Sequence, residues 1–183
     1  VRGDDFNVDD YDTAVVHNFT ECLARSHSHA EAPWWGVVYR KAFNGFAAMV
    51  DVRHDGWAQR GGIDRVVTLR CGRTITIDEK VREKDYGDIL LERWSDRRQR
   101  KPGWVQKQLA CEFIAYAIAP TQVCYLLPTL TLQSAWRECG PDWINRYDPV
   151  IAKNAGYETE SIAVPIPVLF DALTGAMTVT WRS

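Results

Sequence analysis

Two aspartates and a lysine stand at a spacing that suits phosphate chemistry. Asp64 closes the stretch Gly61-Gly62-Ile63-Asp64, and Asp78 and Lys80 lie within Thr74-Ile75-Thr76-Ile77-Asp78-Glu79-Lys80. In an extended strand, alternate side chains share a face, so Ile75 and Ile77 point one way while Thr76, Asp78 and Lys80 point the other. The β-branched runs 63–69 and 75–81 are separated by Cys71-Gly72-Arg73, which reads as a hairpin turn. Such pairing brings Asp64 opposite Asp78, within the span of a single cation. Two hard carboxylate oxygens, helped by a backbone carbonyl such as that of Glu79, suit Mg²⁺ or Mn²⁺ with several retained waters. The ion would acidify a bound water and stabilise charge developing on a phosphate. Lys80 is then placed to orient or deprotonate the attacking water and to neutralise the phosphate in the transition state. By the same alternation the Glu79 side chain goes to the opposite face, where pairing with an arginine is its expected role.

The elements needed to position these residues can be read along the chain. Tyr11, Val15, Phe19 and Leu23 recur every four residues and predict a helix over 10–24; a second helix over 34–42 follows Pro33. A strand over 46–52 and a turn at His54-Asp55-Gly56 come next. With the two runs of the hairpin and a fourth strand over 88–94, they make a β-meander. Val105, Leu109, Phe113 and Ala117 keep a four-residue step and predict a helix over 104–117. Beyond it are expected a strand over 123–127, a helix over 130–138 ended by Gly140-Pro141, a strand over 162–166, a helix from Pro167 to about 173 and a strand over 177–181. The order gives an α/β fold with a mixed central sheet, the meander plus further strands, flanked by helices. No repeat, low-complexity tract or linker divides the 183 residues, so one domain over 1–183 is expected.

Asp64 followed by Asp78-Glu79-Lys80 on the next strand, after a helix and a first strand, resembles the PD-(D/E)XK nuclease superfamily. The resemblance covers roughly residues 10–127, with Ile63 standing where many members have proline. It implies a restriction-endonuclease-like core and a Mg²⁺- or Mn²⁺-dependent hydrolysis of phosphodiester bonds in DNA, with Asp64, Asp78 and Lys80 as the centre. Many members add an acidic residue from the first helix, for which Glu21 is the candidate. Members of the exonuclease-like branch place a glutamine on the helix after the meander, for which Gln106 or Gln108 is the candidate, Gln106 being the one carried over, although the full glutamine-to-tyrosine spacing is met at neither. The tryptophan-rich segments and the meander also resemble phage-encoded or bacterial proteins. The alternative within this resemblance is a nuclease-fold module without turnover that binds nucleic acid or serves in a phage or DNA-processing assembly.

Arg93, Arg97, Arg98, Arg100 and Lys101 form a basic run flanked by Trp94 and Trp104. Such a run can hold a phosphate backbone by charge, and a tryptophan such as Trp104 can stack an unpaired base; its plainer reading is a solvated loop. Glu92 ends a strand, where it is a candidate further ligand, although a surface salt bridge is the ordinary role. His27-Ser28-His29 lacks a third ligand nearby and reads as a polar loop.

Bulk properties constrain less. With 46% hydrophobic and 25% charged residues the chain can build a proper core, and its formal net charge of -2 excludes a uniformly basic coat protein while permitting a local basic groove. The five cysteines (Cys22, Cys71, Cys111, Cys124 and Cys139) form no CxxC pair, and their odd number argues against a complete disulfide framework. Free thiols, no apolar run near the ~20 residues of a membrane span and an acidic start without signal-peptide character lead to the expectation of a cytoplasmic protein with no membrane partner, while the resemblance implies a bacterial or phage-infected cell and nucleic acid as partner. A homo-oligomer is compatible with the composition.

Overall fold

A computed structural model describes residues 32–177. The expected helix over 10–24, with Glu21, and the expected terminal strand beyond Met177 lie outside the described residues. Within them the order is α1 (Trp34–Ala42), β1 (Phe46–Asp51), α2 (Gly56–Gly61), β2 (Arg65–Leu69), β3 (Thr74–Arg82), β4 (Asp88–Asp96), β5 (Lys101–Pro102), β6 (Phe113–Ile118), β7 (Val123–Pro128), α3 (Thr129–Arg146), β8 (Pro149–Asn154), β9 (Tyr157–Pro165) and α4 (Ile166–Met177). The fold is mixed α/β. A five-stranded mixed sheet, ordered β1-β2-β3-β6-β7, accompanies a four-stranded antiparallel sheet ordered β5-β4-β9-β8.

In the mixed sheet β1, β2 and β3 form an antiparallel meander, and β3 then pairs in parallel with β6. The first face of this sheet is covered by α1. Trp35 and Tyr39, one helical turn apart and both fully buried, stack with ring centroids 5.6 Å apart and meet Val67, Ile75, Ile77, Ala115 and Ala117. Arg40 and Lys41 in its last turn suit the negative end of the helix dipole. The second face carries Ile114, Tyr116, Ile118 and Leu127, which pack with Ile89, Leu91, Ile162 and Val164 of the antiparallel sheet and with α3 and α4. Asp78 and Lys80 of β3 project toward this second layer.

Four expectations need correction. The strand over 88–94 is real but is no fourth strand of the meander: β4 leaves β3 through Gly87 (φ 71°) and joins the other sheet, pairing with β9 and β5. The predicted helix over 104–117 is a turn and loop followed by β6. Phe113-Ile114-Ala115-Tyr116-Ala117-Ile118 lies between β3 and β7 and is buried on both faces, so it reads as a continuous apolar run in which a four-residue step arises without a helix. Third, the helix expected to stop at Gly140-Pro141 continues to Arg146. Trp143 is buried and lies 6.2 Å from Trp136 between ring centroids, and the missing side chain of Gly140 leaves room for the Trp136 ring. Burial of these two indoles offsets the hydrogen bond that Pro141 removes.

The fourth correction concerns His54-Asp55-Gly56, which starts a short helix. The Asp55 carboxylate accepts from the Trp57 and Ala58 N–H groups, and Gly62 (φ 66°) ends α2 in the left-handed region. Six residues are too few to show a period. The hairpin partner β8 also escaped the sequence reading, although Ala155-Gly156 (φ 89°) marks its turn.

Candidate functional site

Register decides which residues meet. Arg65 pairs with Ile77 in the β2/β3 ladder, and the Asp64 N–H donates to the Ile77 carbonyl at 2.9 Å, so Asp64 stands at the next pair, opposite Asp78. Their carboxyl groups are neighbours, near enough for Asp64 to act on the charge of Asp78. The Lys80 ammonium donates to Asp78 Oδ1 at 2.6 Å. Asp64 Oδ2 accepts the Glu79 N–H at 2.8 Å, and Arg53 Nε approaches Asp64 Oδ1 at 3.5 Å. The three residues therefore form one constellation, as the hairpin geometry requires.

Its electrostatics are strained by burial. The Asp78 side chain is only 5% exposed, and desolvation pushes its carboxyl up to about 6; Lys80 opposes this and the neighbouring Asp64 carboxyl adds to it. For Lys80 burial alone favours the neutral amine. The carboxylates of Asp78, Asp64 and Glu92 outweigh that effect, and the ammonium titrates above its ordinary value. Lys80 is thus a cation in the resting protein, suited to hold a phosphate oxygen or to orient a water.

Glu92, for which the sequence favours a surface salt bridge over a ligand role, lies beside the constellation. It is half-buried on β4, near enough to Lys80 and Lys107 for their charges to act on it, and burial raises its carboxyl above the ordinary value. Its Oε1 accepts the Trp104 N–H at 3.3 Å. Only the second sheet brings it to Lys80. The loop 103–112 closes over the same region: Ala110 N–H donates to the Gly61 carbonyl, Leu109 packs on Gly62, and the Glu112 N–H reaches the Thr76 carbonyl.

Glu79 lies on the α1 side of the sheet, as alternation requires. Tyr39 Oη donates to its Oε1 at 2.6 Å, Arg65 holds both oxygens at 3.0 and 3.1 Å, and Arg53 bonds to Oε2. Its side chain is therefore no metal ligand; only its backbone faces the constellation. Arg53 also pairs with Asp51 and so ties the end of β1 to both Asp64 and Glu79. The sequence signal was Asp51-Val52-Arg53 directly after a strand, which has no meaning until β1 is placed beside β2.

The remaining candidates are scattered around this centre. Gln106 sits on an exposed turn, not a helix, and its Nε2 donates to the Arg93 carbonyl at 2.5 Å. Within the basic run Arg93 and Arg97 are engaged by Glu160 at 3.2 and 3.0 Å, whereas Arg98, Arg100 and Lys101 are exposed. Trp104 is half-buried, next to Glu92. Of the described cysteines, Cys111 and Cys124 have thiols pushed up by burial to about 11 and about 12, so both are inert at neutral pH.

The donor set suits a divalent cation. Two neighbouring carboxylates, one of them almost wholly buried, concentrate negative charge beside Lys80 and Arg53. Among the described residues no group of three or more His, Cys, Asp or Glu is placed to hold a metal ion. No described helix is long and apolar enough to cross a membrane. Compared with known proteins, the chain matches no family model, no curated sequence and no solved structure.

Proposed function

We propose that the protein is a metal-dependent nuclease that hydrolyses phosphodiester bonds in DNA, built on a restriction-endonuclease-like core of the PD-(D/E)XK type. The observation that carries this reading is the placement of Asp64 opposite Asp78 across the β2/β3 pair, with Lys80 bonded to Asp78. The topology supports it in part, because the meander and the later strand expected of that core both stand in the mixed sheet, without the helix expected between them. This chain differs in crossing from β3 to β6 through β4, β5 and a loop.

Asp64 and Asp78 would hold Mg²⁺ or Mn²⁺, which supplies Lewis-acid stabilisation of the phosphate and an acidified water. The chain's own contributions follow from the geometry. Lys80, held cationic by three carboxylates, neutralises a non-bridging phosphate oxygen. Arg53 and the Glu79 N–H fix the Asp64 carboxylate, so that it need not reorganise when the substrate arrives. Arg98, Arg100 and Lys101 are free to attract the strand by charge.

A second reading, a nucleic-acid-binding module without turnover, draws on one observation: Lys80 Nζ already occupies Asp78 Oδ1. Cleavage of linear, circular and branched DNA in Mg²⁺ and in Mn²⁺ separates the two. Wild-type cleavage lost at least about a hundredfold in folded Lys80→Ala and Asp78→Asn variants supports the nuclease, a loss within the range of one removed electrostatic group. Unchanged cleavage in both variants rejects the assigned centre, and no cleavage by wild type favours the module.

A further inference from the structure

A cavity of about 420 Å³ opens between the end of β4, the turn at 103–107 and α3, within the ~300–1,000 Å³ of small-ligand sites. Two of its lining residues adjoin Glu92: Arg93 in the chain, and Val105 through its N–H to the Glu92 carbonyl. The Gln106 amide donates to the Arg93 carbonyl, and the Gln133 amide donates to the Lys107 carbonyl at 2.7 Å.

Its lining is neither purely apolar nor simply charged. Trp94 and Trp136 contribute indoles, Arg93 and Arg137 contribute guanidinium groups, and Gln106 and Gln133 contribute amides. Gln133, Trp136, Arg137 and Gly140 fall on one helical stripe of α3. Because both glutamine Nε2 atoms are committed to backbone carbonyls, their Oε1 atoms are left as acceptors. Among the described residues Arg137 has no carboxylate partner, only Ser134 Oγ at 3.0 Å.

Acceptors for amino and ring N–H groups, indole surfaces for a flat ring and an unneutralised guanidinium for a phosphate together define one ligand chemistry. We propose that this cavity binds one unpaired nucleotide of a DNA strand whose backbone runs past Asp64 and Asp78. The inference rests on the nuclease reading for its choice of DNA. It gives the site a preference for duplex ends or junctions that carry a single-stranded arm.

Fluorescence anisotropy on the full chain in chelator tests it. The probes are a blunt duplex, the same duplex with a five-nucleotide adenosine tail, and one with an abasic tail of equal length and charge. The adenosine tail should bind about tenfold tighter than the abasic tail, the size of one base-aromatic stack. The double variant Gln133→Ala/Arg137→Ala, whose substitutions lie on exposed or half-exposed positions of α3, should shrink that gap below roughly twofold while keeping blunt-duplex affinity. Equal affinity for the two tails overturns the proposal, as does a gap that survives the double variant. Cleavage after adding Mg²⁺ is read separately: cleavage without a tail preference removes only the cavity proposal, and tail preference without cleavage removes only the nuclease reading.

Discussion

Replacing Asp78 by asparagine should make the metal-free protein more stable at pH 8, the opposite of what removing a buried ion-pair partner usually does. The carboxyl sits at about 6 in the folded chain against an ordinary value of 3.8. A folded-state value above the unfolded one means that the native protein binds the extra proton between these limits, so stability is fully present below pH 3.8 and falls as pH rises through 6. A separation of roughly two pH units, at about 1.36 kcal/mol each, gives ~3 kcal/mol lost by the wild type at pH 8. The neutral amide of the Asp78→Asn variant carries no such cost, and Lys80 keeps Asp64 and Glu92 as partners. For a chain of this length that corresponds to a Tm about 6–12 °C higher for the variant at pH 8. Urea unfolding in chelator at pH 8, 6 and 4 measures it: the difference should shrink with falling pH and vanish near pH 4. Mg²⁺ should then stabilise the wild type and not the variant, by mass action on the folded state. A variant less stable than wild type by the same amount at every pH would refute the reasoning, because Asp78 would then be a satisfied structural residue.

Behind the strand, Glu79→Ala leaves Arg65 without its main partner in a buried setting, and the expected loss is about 3–5 kcal/mol. Tyr39→Phe removes only one donor from the same carboxylate, with an expected loss of about 1.5–3 kcal/mol; chemical denaturation that finds Tyr39→Phe more damaging than Glu79→Ala would contradict the network. Gly103→Ala should be the more damaging of two glycine changes. An added Cβ there collides with the Glu92 carbonyl oxygen, which is backbone and cannot move aside, whereas at Gly62 it meets the movable end of Leu109 at 2.5 Å. The Gly62→Ala cost is then mostly the left-handed φ, about 1–2 kcal/mol, and thermal unfolding of the two variants checks the order.

How much of this could be read without coordinates differs from residue to residue. The strict alternation of Ile75, Ile77, Asp78, Glu79 and Lys80 fixes which side chains share a face, because the period of a strand is a local property of the backbone. For that reason the Asp78/Lys80 pairing and the opposite placement of Glu79 follow from the chain alone. So does α1, whose Trp35 and Tyr39 repeat at helical spacing and whose bounds match the sequence expectation. The run at 104–118 shows the limit of such reading. A four-residue apolar step is ambiguous in a segment buried on both sides, and only the slot between β3 and β7 makes it loop and strand. Glu92 shows the same limit at the site. Nothing near it in sequence says that β4 abandons the meander, yet that departure, driven by pairing with β9, brings its carboxylate to Lys80. Local periodicity thus reaches as far as the two strand faces that hold Asp64, Asp78 and Lys80. Their surroundings, namely the Arg53 and Tyr39 network, Glu92 and the cavity on α3, come into being only when the sheets and helices pack, because those contacts join residues distant in the chain and no local period encodes them.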